Sequence, residues 1–106
     1  RRVQKVLEPI PEVALVRAAE CLRVAAHPVR LRIADLLSLR GETSVGELAE
    51  LIGLPQAQTS EHLRRMQARE LLASRRDGRM VFYRVASPQL PAVLDCIRTH
   101  LLGEER

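Results

Sequence analysis

The side chains best suited to chemistry lie in the second half of the chain, in two runs. The first is LPQAQTSEHLRRM, where Gln56, Gln58, Thr59, Ser60 and His62 follow Pro55 closely. On the opening turns of a helix, short hydrogen-bonding groups of this kind reach base edges and phosphates in a major groove, with Arg64 and Arg65 behind them for the backbone. Glutamine is suited to bidentate reading of adenine. The second run, Arg75-Arg76-Asp77-Gly78-Arg79, places three guanidinium groups within five residues. Arginine binds phosphate bidentately and favours the negative potential of a narrow minor groove. The plainer alternative is a solvated helix face and a soluble turn, and Asp77-Gly78 needs nothing beyond turn geometry.

These residues need elements to hold them, and the sequence supplies a consistent order. Residues 1–11 read as an N-terminal arm ending in a Pro9-Ile10-Pro11 break, with basic side chains able to touch a phosphate backbone. Leu15, Ala18, Ala19, Leu22 and Ala25 recur at helical spacing and predict a first helix over 12–26. His27-Pro28 stops it, since the residue before proline avoids the α region, and Pro28 suits the first turn of a second helix that runs to about Leu39. Ser44-Val45-Gly46-Glu47 has the capping-box spacing and predicts a short third helix over 45–52, closed by Gly53. A tight turn at Leu54-Pro55 then leads into a fourth helix from Gln56, and the pair forms a helix-turn-helix.

After that the period changes. Leu71 to Arg76 and Arg79 to Val85 read as two strands joined at Asp77-Gly78, a β-hairpin anchored by Phe82 and Tyr83. Ser87-Pro88 opens a last helix, with Leu90, Val93, Leu94, Ile97 and Leu101 on its apolar side and Gly103 at its end. The fold class is mainly α with a β-hairpin wing, in the order α-α-α-α-β-β-α. It is a winged helix-turn-helix spanning 12–103, followed by a tail at 104–106.

Composition narrows the function. A chain of 106 residues, 46% apolar and 28% charged, suits one domain. No stretch without Asp, Glu, Lys or Arg exceeds ten residues, too short for a membrane span of about 20. Phe82 and Tyr83 are the only aromatics of their class, which argues against platforms that stack single-stranded bases. Net charge is +4, and residues 55–85 hold seven basic against three acidic side chains, so the surplus sits on the helix-turn-helix and hairpin and points to an anionic partner. Two cysteines do not make a disulfide scaffold, which suggests a cytoplasmic protein. The absence of an initiator Met reads as trimming. The five glycines form no phosphate loop, and no Ser, His and acid set stands at a nucleophile elbow, so an enzyme is not expected.

The run AAHPVRLRIADLL followed by SVGELAELIGLPQAQTSEHLRRMQARELLASRRDGRMVFYRV resembles the ArsR/SmtB family of bacterial metal- and redox-responsive winged-helix repressors, over about residues 22–102. The resemblance implies a homodimer built on the first and last helices, an inverted-repeat operator of double-stranded DNA at its own promoter, and release by an inducer. The family's sensing residues are mostly missing. Ser44, Gly46 and Ala49 stand where some members carry third-helix cysteines, and Ser87, Gln89, His100 and Gly103 stand where others place last-helix metal ligands. Asp35 and Leu102 stand where persulfide-responsive members keep their thiols.

Cys21 and Cys96 remain, on the two helices that the family uses for its dimer. Cys96 and His100 are four apart on one helical face, so they form a candidate metal site with Cys21 of either subunit as third ligand. The two thiols are equally a candidate redox pair, provided their Cα atoms come within about 7 Å. Against both stands the ordinary behaviour of free cysteine as a small buried hydrophobe. No cofactor is otherwise indicated, and the inducer is expected to be a metal ion or a thiol modification. His27 reads as a helix-start residue. The expected function is a sequence-specific, homodimeric repressor. The alternatives are a winged-helix module that binds protein, and a repressor that is constitutive or answers a ligand unrelated to the thiols.

Overall fold

The computed structural model describes residues 8–103, so the first seven residues of the expected arm and the 104–106 tail lie outside it. Helix α1 (Glu12–Ala25) starts where Pro11 ends the extended segment, and the Pro11 carbonyl accepts from the amides of Ala14 and Leu15 at 3.0 and 3.1 Å. His27 is extended, at φ −154°, and its Nδ1 accepts the Val29 amide at 3.1 Å, so the side chain caps α2 (Pro28–Arg40). That is the helix-start role its place before Pro28 implied.

Ser44 caps α3 (Val45–Ile52), its Oγ accepting the Glu47 amide at 3.2 Å. The expected capping box is half formed, because the Glu47 carboxylate pairs with Arg40. At Gly53 the chain turns left-handed, φ 82°, a conformation costly to residues with a Cβ, and α4 (Gln56–Ala68) begins three residues later.

The hairpin consists of β2 (Leu72–Asp77) and β3 (Met80–Val85), and two details depart from expectation. Asp77 pairs with Met80, so the two-residue turn is Gly78-Arg79 rather than Asp77-Gly78. Gly78, at φ 63°, takes the first central position, where a turn matched to strand twist demands glycine, and Arg79 is carried to the tip. There is also a third strand, β1 (Thr43–Ser44), which pairs with β3 opposite Tyr83 and Phe82 and gives the order β1-β3-β2. Two residues are too few to show an alternating pattern, and Ser44 already served as a cap.

Helix α5 (Gln89–His100) follows, its first amide accepted by Ser87 Oγ at 3.1 Å. The core joins Ile33 of α2, Leu48 of α3, Leu63 and Met66 of α4, Leu71 and Leu72 at the hairpin base, and Leu90 of α5, all fully buried. Each such side chain contributes about 1.5–3 kcal/mol by leaving water. Helix α1 packs on α2 and α4, and α5 on α2. Of the α1 residues only Ala25 is buried, while Val13, Leu15, Val16 and Leu22 lie at least half exposed.

Candidate nucleic-acid interface

Helix α4 is anchored by Leu63 and Met66 on one side, which leaves most of its polar side chains outward. Gln56, Gln58, Arg64 and Arg65 are exposed, and Ser60 and His62 are half-buried. Thr59 is a correction. Its exposure is 0%, and its hydroxyl donates to the Pro55 carbonyl at 3.1 Å, four residues back. It falls one turn before Leu63, on the face that packs inward, so it braces the first turn of α4 and presents nothing to a groove.

His62 has a partner that sequence gave no means of finding. Arg30 of α2 donates its Nε to His62 Nδ1 at 3.1 Å and its Nη1 to the Val24 carbonyl at 3.0 Å, tying the end of α1, the start of α2 and the middle of α4 together. The His27 ring lies 4.9 Å away. Burial first, then the positive charge of Arg30, holds the His62 pKa below the usual histidine value. With Nδ1 accepting, the neutral ring carries its proton on Nε2 and offers a donor there. Arg30, Gln58, Glu61, His62 and Arg65 line one shallow cleft, and Arg65 pairs with Glu61 at 3.5 Å.

The three arginines expected to act together at the hairpin tip divide. Arg75 is a second correction, because it points back to the loop before β1: its Nε and Nη2 meet the two oxygens of Glu42, each at 2.9 Å. Its guanidinium also lies 4.7 Å from the centre of the Phe82 ring. The pairing lowers the Glu42 pKa and raises that of Arg75. Arg76 and Arg79 are exposed, and among the described residues neither forms an ion pair, nor does Arg64. Tyr83 anchors the ribbon from a buried position, as expected, while Phe82 is half-buried under Arg75. Gln56 and Ser60 of α4 border the same cleft as Arg79 and Met80, so helix and hairpin address a common surface.

The cysteine constellation does not assemble within one protomer. Both thiols are free. Cys21 is half-buried beside the Arg69 carbonyl, 3.8 Å away, in a cleft that reaches α5 only at its first turn, near Gln89. Cys96 is exposed seven residues further along α5, about 10 Å at 1.5 Å per residue, and His100 lies another turn beyond. Among the described residues no three His, Cys, Asp or Glu side chains come together as a metal site.

An apolar core of short helices that presents one polar helix beside an arginine-tipped ribbon defines a winged helix-turn-helix DNA-binding protein. Residues 25–75 match the profile of a helix-turn-helix domain. The chain is 35% identical over 82 residues to the HTH-type transcriptional regulator YgaV of Escherichia coli, covering 77% of this chain and 83% of that one. It superposes on the crystal structure of NolR from Sinorhizobium fredii with a TM-score of 0.77 at 31% identity, over 96% of this chain and 100% of the chain in that structure. A homodimeric winged helix-turn-helix DNA-binding domain from Mycobacterium bovis, described as a possible ArsR-family transcriptional regulator, gives a TM-score of 0.77 at 26% identity, over 90% of this chain and 91% of that one. The chain belongs to the ArsR/SmtB family of winged helix-turn-helix transcriptional regulators. It is a DNA-binding protein and not an enzyme. No helix among the described residues is long and apolar enough to cross a membrane.

Proposed function

We propose that the protein is a homodimeric repressor of an inverted-repeat operator, released by an inducer. The carrying observation is the cleft shared by Gln56, Ser60 and Arg79, which sets α4 and the wing along one surface, the arrangement a duplex contact requires. In this reading Gln56 and Gln58 read base edges, Ser60 and His62 donate to the backbone, and Arg64, Arg65, Arg76 and Arg79 meet phosphates. The homodimer is supported by the apolar stripe of Leu15, Ala19 and Leu22 on α1, four and three residues apart on one exposed face, and by the homodimeric M. bovis relative. Two α4 helices then meet major grooves about one helical turn apart. Fluorescence anisotropy against the protein's own promoter fragment and a scrambled duplex, at fixed salt, tests this. Specific binding by a dimer supports the reading, and equal binding to both duplexes overturns it.

A thiol-borne inducer is the second reading, supported by the exposure of Cys96 on α5. A metal bound by Cys96 and His100 would need Cys21 of the partner subunit to complete the set. Repeating the titration with oxidant, persulfide donor, Zn(II), Cu(I) and As(III), in the native chain and in Cys21→Ser/Cys96→Ser, decides it: release only in the native chain supports a thiol sensor, and indifference to every agent overturns it.

A further inference from the structure

A groove of about 320 Å³ runs between α2 and α5, at the lower end of the volumes that small ligands occupy. Leu31, Ile97 and Leu102 form apolar walls, and Arg32, Asp35 and Arg98 form a polar end. Asp35 Oδ1 accepts from Arg98 Nη2 at 2.6 Å, an ion pair that pins α5 to α2, and both side chains are less than a third exposed. The second oxygen, Oδ2, meets Arg32 at 3.8 Å, a looser contact made by a side chain that is 63% exposed. The lining therefore carries two guanidinium groups against one carboxylate beside apolar walls.

We propose that this groove binds a small amphipathic carboxylate, with its chain against Leu31, Ile97 and Leu102 and its charge on Arg32, and that occupancy lowers operator affinity. The first half stands on the groove itself; the second rests on the repressor reading above. Charge selects the class. An anion gains charge-assisted hydrogen bonds from a planar fork of donors, an amine meets like charge, and an alcohol gains only apolar burial. The coupling follows from what α2 touches. One side of α2 meets α5, and its buried Ile33, Ala34 and Leu37 belong to the core that supports α3 and α4. A ligand wedged between α2 and α5 acts on the helix to which the recognition core is fixed, and none of the groove residues is a cysteine.

The test is calorimetric titration of the whole chain with octanoate, 1-octanol and octylamine, each below its aggregation threshold. Octanoate is expected to saturate at one molecule per protomer, at least about tenfold tighter than octanol, with octylamine weaker still. Arg32→Gln, a change at an exposed side chain, should erase the octanoate advantage and leave octanol binding unchanged. Ile97→Trp should fill the groove and remove binding, with melting monitored by circular dichroism to show that the variant folds. Equal affinity for octanoate and octanol, or octanoate binding untouched by Arg32→Gln, overturns the site. Specific operator binding that persists at saturating octanoate overturns the coupling. Failure of the chain to distinguish operator from scrambled duplex overturns the repressor reading and leaves the calorimetric result standing.

Discussion

Arg75 and Glu42 form a two-pronged ion pair across 33 residues, Nε and Nη2 each 2.9 Å from a carboxylate oxygen, and this pair joins the wing to the loop before β1. It separates the roles of two arginines at the wing. Arg79→Ala should weaken binding to specific and random duplex alike and lower the slope of log affinity against log salt by about one unit, the signature of a lost phosphate contact. Arg75→Ala should leave that slope unchanged. Anisotropy titrations at four salt concentrations measure both, and a slope reduced equally by the two variants would place Arg75 on the DNA.

His62 should make folding stability depend on pH. Its folded pKa lies below the unfolded value, so the unfolded chain binds more protons between the two. The contribution is complete above the unfolded value of about 6.5, declines as pH falls toward the folded pKa, and is flat below it. Protonation also removes the acceptor that Nδ1 offers to Arg30. Chemical denaturation at pH 7.5, 6.5 and 5.5 should show a decline that His62→Gln flattens; an identical decline in the variant would assign it to other groups.

Thr59 and Gln58 are neighbours with opposite environments. Thr59→Val loses one hydroxyl bond to Pro55 and should cost about 0.5–1.5 kcal/mol of stability while base preference stays unchanged. Gln58→Ala should do the reverse, relaxing preference at one position with little change in melting. Competition with single-base operator variants distinguishes them, and a preference altered by Thr59→Val would contradict its buried place.

Glu70 holds φ at 62°, the sole positive value among the described non-glycine residues, in the turn after α4. Its amide donates to Gln67 and that of Leu71 to Met66, bonds that fix the left-handed geometry. Its ion pair with Arg17 spans 4.0 Å between well-exposed side chains and contributes little. Glu70→Gly relieves the strain, partly offset by the freer unfolded chain, and should stabilise by about 0.5–1 kcal/mol. Differential scanning calorimetry should record Tm higher by about 2–8 °C. A lower Tm would show that the Arg17 pair outweighs the backbone.

The elements were legible because their signals are local. Helical spacing of apolar residues, His27-Pro28, the Ser44 cap and Gly53 set the helices and the helix-turn-helix within a residue or two, since each rests on backbone demands met by neighbours in sequence. The basic surplus of residues 55–85 was equally plain, because charge is a property of composition. The strand β1 was not, since two residues become a strand only when β3 lies beside them.

Partnerships belonged to the tertiary structure. Thr59 looked like its neighbours until the packing of Leu63 and Met66 fixed which face of α4 turns inward. Arg75 looked like Arg76 and Arg79 until the sheet brought Glu42 within reach, and Arg30 gave no sign of His62, 32 residues away. Residues close in sequence share a backbone and can be read together, whereas ion pairs, buried hydroxyls and grooves between helices form between segments that only folding makes adjacent.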